Sequence, residues 1–144
     1  MTLVLLIDDD PLICELVTVS LSNVGYTVGC LQDGQRALDV IERKRPALVL
    51  LDCAMPFVPG IEVLRRLRSS QLCFNVPVLM LTARASSFDR DIALRTGATD
   101  YMVKPFDLDK LAATVEAMIC DSRAFLKPAP APNIGRNTPL TATN

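Results

Sequence analysis

The sequence predicts an α/β protein in which five βα units build a doubly wound parallel sheet with helices on both faces. Short apolar runs recur along the chain, and a segment of helical periodicity follows each of them. Such alternation is typical of a parallel sheet with right-handed crossovers. Four of the runs also end at a polar residue: the runs are Val4–Ile7, Ala47–Leu51, Pro77–Leu81 and 99–103, and the residues that follow them are Asp8, Asp52, Thr82 and Lys104.

The first two units show clear boundary signals. Asp10 is a plausible N-cap with Pro11 at the first helical position, and Gly25 ends that helix. Tyr26–Cys30 is a weak second strand, and we expect Asp33 to cap a second helix that stops near Pro46. The apolar residues expected to face inward on the first helix are Ile13, Leu16, Val17, Leu21 and Val24.

The later units follow the same pattern. The third strand, Ala47–Leu51, is apolar throughout, as a strand covered on both faces should be. A loop with Pro56, Pro59 and Gly60 leads to a third helix with an apolar inner side and an outer side of Arg65, Arg66 and Arg68, which we interpret as a solvated face. Ser86 or Ser87 should cap the fourth helix and Asp107 the fifth. The inner stripe expected on the fifth helix is Leu108, Leu111, Ala112, Val115 and Ile119.

Domain organisation follows from a change of composition near the end. We assign residues 1–124 to one domain, because a chain of this size has room for one substantial core. Residues 125–144 lack apolar periodicity and are rich in proline and alanine, which is typical of a flexible tail.

Composition excludes several classes of function. A net charge of −1 gives no basic excess for direct nucleic-acid binding, and no signal peptide or membrane-spanning run is evident. Five scattered cysteines without a Cys-x-x-Cys pair indicate a reducing compartment, so we expect a cytoplasmic protein. The chain has no histidine, which excludes histidine metal sites, histidine triads and a histidine that carries phosphate.

The polar strand ends predict one site. Ligands of open α/β sheets bind at the carboxyl ends of the strands, so Asp8, Asp9, Asp52, Thr82 and Lys104 should share a crevice. Three carboxylates at close range need a cation, and oxygen ligands suit Mg²⁺, or Mn²⁺ in its place. A phosphoryl group could bind there between the cation, the lysine and the threonine hydroxyl, with Asp52 as the nucleophile that forms an acyl phosphate.

These residues resemble the receiver domain of bacterial two-component response regulators. The resemblance covers residues 2–122, in order and at the spacing of the family. It implies the strand order 2-1-3-4-5 of a flavodoxin-like, three-layer fold. The motifs that carry it are Leu6–Pro11, Leu50–Pro56 with Gly60, Val78–Arg84 and Gly97–Phe106.

The resemblance also implies a role for each residue of the site. Asp52 would be the phospho-acceptor, Asp9 a direct metal ligand, Asp8 a ligand through water, and Ala54 a ligand through its backbone carbonyl. Lys104 and Thr82 would bind the phosphoryl group. Pro105 would follow a cis peptide bond, and Thr82 with Tyr101 would form the switch.

The implied function is that of a phospho-acceptor in a phosphorelay. Phosphate would come from a sensor histidine kinase or a histidine phosphotransfer protein, and the face of the fourth helix, fifth strand and fifth helix would change shape for an unknown output partner. The domain would assist its own phosphorylation and dephosphorylation without being an enzyme in the usual sense, as a monomer or a phosphorylation-dependent dimer.

Three alternatives stay open on the sequence. One is a receiver-like module that binds partners without phosphorylation. Another is the receiver fragment of a longer DNA-binding transcriptional regulator. The third is an enzyme of another class, but Ala54 stands where an Asp-nucleophile phosphatase has its second aspartate, and Asp8–Asp10 would repel a flavin phosphate.

The chain departs from the family pattern at several positions. Neither Ala54 nor Arg84 offers a carboxylate or amide to orient an attacking water, so we expect slow hydrolysis of the phosphorylated Asp52. Thr99, Thr114 and Glu116 replace residues that form the usual symmetric salt-bridge dimer, which makes that dimer unexpected here.

Overall fold

Strands and helices alternate strictly through the chain. The computed structural model describes residues 2–83 and 87–126, with side chains as far as Ser122. The five βα units are β1 (Thr2–Ile7), α1 (Pro11–Asn23), β2 (Tyr26–Leu31), α2 (Ala37–Lys44), β3 (Leu48–Asp52), α3 (Gly60–Arg68), β4 (Val78–Thr82), α4 (Ser87–Thr96), β5 (Asp100–Val103) and α5 (Leu108–Leu126).

All strand pairs are parallel, and the order across the sheet is β2-β1-β3-β4-β5. The predicted fold class and strand order are therefore confirmed. Helices α1 and α5 contact each other on one face of the sheet, and α2, α3 and α4 pack in series on the other. Three layers result, with β2 and β5 at the two edges.

The central strands divide their side chains between two cores. Alternate residues of a strand point to opposite faces, so an apolar run buried on both sides supplies both layers. Leu5 and Ile7 of β1 face the α2, α3 and α4 side, whereas Val4 and Leu6 face α1 and α5. Every residue of β3 and β4 is buried.

The N-caps of α1 and α5 form as predicted. The Asp10 carboxylate accepts a hydrogen bond from the Leu12 N–H at 2.9 Å, and Pro11 begins the helix. The Asp107 carboxylate accepts from the Asp109 N–H at 2.7 Å. These caps satisfy amide groups that have no partner within the helix.

Three sequence-based expectations about the helices were wrong. Asp33 does not cap α2, because its carboxylate accepts a hydrogen bond from the Gln35 N–H in a turn. The helix begins at Ala37, and the preceding residue, Arg36, makes no side-chain capping bond. Leu16 and Val24 are exposed on α1, because Cys14, Val17 and Leu21 take the positions that face the sheet.

Arg68 does not belong to the solvated arginine face of α3. Its guanidinium donates to the carbonyls of Gly97 at 2.7 Å, Phe74 at 2.9 Å and Val76 at 2.6 Å. Arg65 and Arg66 are exposed as expected and pair with Glu62.

Strand ends and the last helix refine the predicted boundaries. Asp52 and Thr82 are the last residues of β3 and β4 rather than the first residues beyond them. Helix α5 continues to Leu126, past residue 124, and residues 127–144 of the predicted tail lie outside the described residues, as do Arg84 and Ser86. No helix in the described part of the chain has the length and apolar character needed to span a bilayer.

Candidate functional site

The site is built around Asp52 at the carboxyl end of the central strand β3. Its carboxylate is 4% exposed, and the Ala54 N–H donates to Oδ1 at a long 3.4 Å. Strands β1 and β4 flank β3, so Asp8 just beyond β1 and Thr82 at the end of β4 lie beside Asp52. The parallel topology thus brings together residues from three separate segments, as predicted.

Asp8, Asp9 and Asp52 form an acidic cluster. One carboxylate oxygen of each lies within 4.8 Å of the others. Asp8 is completely buried and Asp9 is exposed, so the cluster is closed on one side and open to solvent on the other. The Asp10 N–H holds Asp8 Oδ1 at 2.9 Å, which leaves Asp10 itself as the helix cap.

Lys104 bridges the two buried carboxylates. Its Nζ lies 2.7 Å from Asp8 Oδ2 and 3.3 Å from Asp52 Oδ1. The Lys104 N–H donates to the Thr82 carbonyl at 2.6 Å, and the Lys104–Pro105 peptide bond is cis, as the resemblance implied. The backbone of β5 therefore positions the lysine, whose ammonium reaches across the end of the sheet.

The electrostatics of the cluster favour a cation. Burial raises the pKa of the Asp52 carboxyl, and the negative charge of Asp8 raises it further, while Lys104 opposes both effects. Burial alone would lower the pKa of Lys104, but its hydrogen bond to Asp8 and the charges of both aspartates outweigh burial and raise it. A single lysine only partly compensates these carboxylates, which leaves room for an additional positive charge.

Thr82 is paired with Cys53 in this structure. Thr82 is 3% exposed and lies beside Cys53, whose N–H donates to the Leu81 carbonyl at 2.9 Å. Burial raises the pKa of the Cys53 thiol, opposed by the Thr82 hydrogen bond. A raised pKa disfavours the thiolate, which is the nucleophilic form of Cys53.

A cavity of about 410 Å³ opens beside this pair. It extends from the end of β3 toward α4, so a group that leaves or enters the position of the Thr82 side chain has space to move. The residues that line it are Cys53, Ala54, Pro59, Ile61, Thr82, Ala83, Asp89, Ile92 and Ala93.

The loop after Asp52 returns close to the strand end. The Gly60 N–H donates to the Cys53 carbonyl at 3.0 Å, and a Cβ at Gly60 would collide with the Asp52 carbonyl. Glycine is required there because the backbone approaches so closely. Phe57 in the same loop has a φ of 69° and a side chain that is 84% exposed.

Tyr101 stands apart from the acidic cluster. It lies on β5 beside Met80 of β4 and packs, half-buried, against the core on the α4 side. The structure therefore places the two residues of the predicted switch on neighbouring strands, with Thr82 at the site and Tyr101 nearer the protein surface.

Sequence reasoning missed two features of this site. One is the contact of Lys104 with Asp8, which is shorter than its contact with Asp52. The other is the position of Cys53 beside Thr82. The sequence did contain a signal for this second feature. Cys53 directly follows Asp52 and Thr82 ends β4, and residues at these positions of two paired parallel strands are neighbours.

Comparison with known proteins assigns the class. The family model for the response regulator receiver domain matches residues 4–116. The response regulator MprA of Mycolicibacterium vanbaalenii is 45% identical over 81% of this chain and 49% of its own length. The transcriptional regulatory protein TrcR of Mycobacterium tuberculosis is 40% identical over 88% of this chain and 48% of its own length.

A solved structure shares the fold and carries a metal. The receiver domain of the sensor histidine kinase PA1611 from Pseudomonas aeruginosa, with a magnesium ion coordinated in its active-site cleft, is 32% identical. Its TM-score is 0.76, over 83% of this chain and 98% of that one.

The chain belongs to the response regulator receiver domain family of two-component systems. It spans about half the length of the curated relatives it matches.

Proposed function

We propose that this protein accepts a phosphoryl group on Asp52 from a phosphohistidine of a sensor histidine kinase or a histidine phosphotransfer protein. The observation that carries the proposal is the buried Asp52 carboxylate, held 3.3 Å from the Lys104 ammonium at the edge of an acidic cluster. A carboxylate is not buried this way without a compensating task.

Mg²⁺ is the cofactor that the residues fit, with Mn²⁺ as a substitute. Three carboxylates with oxygens within 4.8 Å, one of them exposed to solvent, match a hard cation that keeps some of its waters. Asp9 and Asp52 would be direct ligands, Asp8 a ligand through water and Ala54 a ligand through its carbonyl. When bound, the ion neutralises the carboxylates and draws the phosphoryl oxygens toward them.

The transfer step uses residues already in place. A carboxylate oxygen of Asp52 attacks phosphorus, the phosphorus–nitrogen bond of the donor breaks, and the imidazole leaves with the electron pair. The Lys104 ammonium lies close enough to exchange its bond with Asp52 for one with a phosphoryl oxygen. The Thr82 hydroxyl, on the neighbouring strand, supplies a further donor.

An apolar surface next to Lys104 suits the donor protein. A groove of about 200 Å³ runs between α1 and the segment after β5. Leu12 and Leu16 are exposed along the same helix and leave an apolar face uncovered. A donor that docks here would bring its phosphohistidine to the open side of the acidic cluster. The groove is lined by Ile13, Leu16, Val17, Lys104, Pro105, Phe106 and Leu108.

The output follows from the position of Thr82. Phosphorylation would draw its hydroxyl from Cys53 to a phosphoryl oxygen, and Tyr101 would turn inward toward the space vacated. The surface of α4, β5 and α5 would change in consequence, giving a two-state element biased by one charge event. The partner that recognises this surface is another protein or a second copy of the chain.

The domain would also contribute to its own dephosphorylation, but slowly. Ala54 offers no side-chain group that could orient water at the phosphorylated Asp52. We expect the Ala54→Asn variant to lose phosphate several-fold faster than the parent protein in Mg²⁺, as measured by phosphate release. An equal rate in both proteins, or loss within seconds from the parent, would contradict this expectation.

Direct phosphorylation tests the central claim. Acetyl phosphate with Mg²⁺ should add the mass of one phosphoryl group, and the Asp52→Asn variant should gain none. Phosphotransfer from the histidine kinases of the source organism should show the same dependence. Transfer that persists in Asp52→Asn would refute the assignment, and absence of any transfer would favour a module that works without phosphorylation.

Fluoroberyllate provides a second test through the switch. The chain has no tryptophan and two tyrosines, so Tyr26→Phe leaves Tyr101 as the sole tyrosine. Its fluorescence should change when fluoroberyllate and Mg²⁺ are added together but not with either alone. The Tyr26→Phe, Thr82→Ala variant should bind and show a reduced change.

The domain assignment and the output of the whole protein are also proposals. The predicted division at residue 124 falls within α5, so we propose that the receiver domain extends to Leu126 and that the predicted tail begins after it. We also propose action in the cytoplasm, because all five cysteines are free thiols. The chain matches only about half the length of relatives such as the transcriptional regulatory protein TrcR. This favours a second candidate function, in which the chain is the receiver part of a DNA-binding regulator. Comparing DNA binding by this segment and by the full gene product would separate the two.

A further inference from the structure

Two cysteines that the phosphorylation site does not use lie in contact behind it. Cys14 is buried on the inner side of α1, and Cys30 is exposed near the end of the edge strand β2. The Cys30 thiol lies against Cys14, with its Sγ 3.9 Å from the Cys14 carbonyl oxygen, and the two thiols influence each other's protonation. The three other cysteines lie elsewhere: Cys53 in the loop after β3, Cys73 in the segment before β4, and Cys120 on α5.

We propose that Cys14 and Cys30 are an oxidative modification site that forms an intramolecular disulfide by exchange with a small-molecule disulfide. Cys30 Sγ already lies against the backbone of Cys14, so a disulfide, with its sulfur–sulfur distance of about 2.05 Å, requires only a local movement of the two side chains. Because one thiol is exposed and the other is buried beside it, the two have different roles. Cys30 is the thiol that an external reagent can reach, and Cys14 is the thiol that can reach only Cys30.

The exchange proceeds in two balanced steps. The Cys30 thiolate attacks one sulfur of the small disulfide, which leaves as a thiolate, and a mixed disulfide forms on Cys30. Burial raises the pKa of the Cys14 thiol to about 12, so Cys14 gives its proton to the second small thiolate as that thiolate leaves and the Cys14 sulfur attacks the Cys30 sulfur. Two protein thiols are oxidised to one disulfide, while one small disulfide is reduced to two thiols.

Thr18 is placed to assist Cys30. Its hydroxyl lies 3.5 Å from Cys30 Sγ and 2.6 Å from the Cys14 carbonyl, one turn earlier on α1. In the resting protein the hydroxyl donates to that carbonyl. The same hydrogen can turn to the Cys30 thiolate when the proton leaves, which stabilises the attacking form.

The disulfide would act on the acidic cluster. The Cys14 thiol donates to the Asp8 carbonyl at 3.6 Å, and Asp8 carries the buried carboxylate that Lys104 holds. Oxidation removes this donor and ties α1 to β2 directly behind the loop of Asp8–Asp10. This consequence rests on the proposed function, whereas formation of the disulfide does not.

Thiol chemistry on the full chain tests the site. Incubation with oxidised glutathione should remove the mass of two hydrogen atoms, and peptide mapping without reduction should link the Cys14 and Cys30 peptides. Cys30→Ser should form no such link, while Cys14→Ala should accumulate a mixed disulfide on Cys30. Cys120→Ser, which removes an exposed cysteine outside the pair, should oxidise like the parent protein.

Two results would overturn the proposal. One is a mixed disulfide that persists on Cys30 of the parent protein with no intramolecular link. The other is oxidation confined to Cys120. Cys30 is exposed, so loss of the link in Cys30→Ser is not explained by misfolding, which circular dichroism would check.

A cation titration tests the coupling separately. Oxidised parent protein should bind Mg²⁺ several-fold more weakly than reduced protein by calorimetry, and dithiothreitol should restore the affinity. Unchanged affinity in the oxidised form would overturn the coupling. If reduced protein binds no Mg²⁺, the proposed function fails, and the disulfide is judged on the mapping alone.

Discussion

At the scale of single residues, Asp52 combines burial with charge in a way that makes it reactive. Its carboxylate lies beside Asp8 in a site that excludes most water, and one ammonium is shared between them. The same features that suit it to accept a phosphoryl group cost folding free energy in the metal-free protein, because burial and a like charge both disfavour the ionised form.

Replacing Asp52 with asparagine should therefore stabilise the metal-free protein. Because the pKa of Asp52 is raised in the folded state, that state holds its proton more tightly, and the free energy of unfolding falls as pH rises above the unfolded value of about 3.9. Asp52→Asn should match the parent well below that pH and exceed it at neutral pH by on the order of 1 kcal/mol. Urea unfolding across pH, with chelator present, measures the difference. A less stable variant at neutral pH would contradict the sign.

Phe57 carries a local cost without evident packing. Its φ of 69° is unfavourable for a bulky residue, and its ring is almost fully exposed. Asparagine tolerates this conformation, so Phe57→Asn should raise the free energy of unfolding by about 0.5–1 kcal/mol. Phe74→Asn, an exposed aromatic substitution at a residue without positive φ, is the control and should give no such gain. Chemical denaturation of both variants measures the difference. A lower free energy of unfolding in Phe57→Asn would contradict the prediction and show that the Phe57 ring makes stabilising contacts.

At the scale of elements, Arg68 connects α3 to two segments outside the helix, which a residue on a solvated helix face would not contact. From the end of α3 it bonds carbonyls in the α4–β5 turn and in the segment before β4, and it reaches Thr99 Oγ1 at 3.4 Å. Burial lowers the pKa of this guanidinium, which nonetheless stays charged. Arg68 thus joins the end of α3 to the segments that precede β4 and β5.

The planar guanidinium of Arg68 donates in several fixed directions, so a lysine substitution is not conservative here. Lysine cannot donate to three carbonyls in these directions, so at least one buried acceptor loses its partner. Arg68→Lys should lower the free energy of unfolding by about 1–3 kcal/mol. Arg66→Lys, on the exposed face of the same helix, should change it little. An equal change in the free energy of unfolding for both variants would indicate that Arg68 behaves like a solvated residue and would contradict this prediction.

These elements also show where sequence patterns fail. The periodicity of α1 admitted two apolar faces, and only the packed sheet chose Cys14, Val17 and Leu21 over Leu16 and Val24. Arg68 shares its sequence context with Arg65 and Arg66. Its carbonyl partners lie up to 29 positions away in the chain and the Thr99 hydroxyl lies 31 positions away, so no local pattern could identify them.

At the scale of the whole molecule, cation binding and folding should be linked. Lys104 compensates Asp8 and Asp52 in the metal-free protein, and a divalent cation would take over that task. Anything that binds the folded state alone raises stability by mass action. The lysine and the cation should therefore substitute for each other in part.

Removing the lysine should expose this linkage. Lys104→Met should lower the free energy of unfolding of the metal-free protein by about 3 kcal/mol, because two buried carboxylates lose their partner. Saturating Mg²⁺ should raise the melting temperature of this variant more than that of the parent. Lys110→Met, at an exposed position on α5, should respond to Mg²⁺ like the parent. Calorimetric melts with and without Mg²⁺ provide the measurement, and a smaller Mg²⁺ effect in Lys104→Met would contradict the linkage.

The sequence by itself determined the βα alternation, the parallel sheet and the residues that meet at its carboxyl edge. These follow from periodicity and from polar residues that end apolar runs, both of which are local properties. The tertiary structure alone decided which partners those residues take: Lys104 lies nearer Asp8 than Asp52, Thr82 lies beside Cys53, and Cys30 lies against Cys14. Such pairings depend on the register of neighbouring strands and on how helices rest on the sheet, which bring distant residues within a few ångströms of each other.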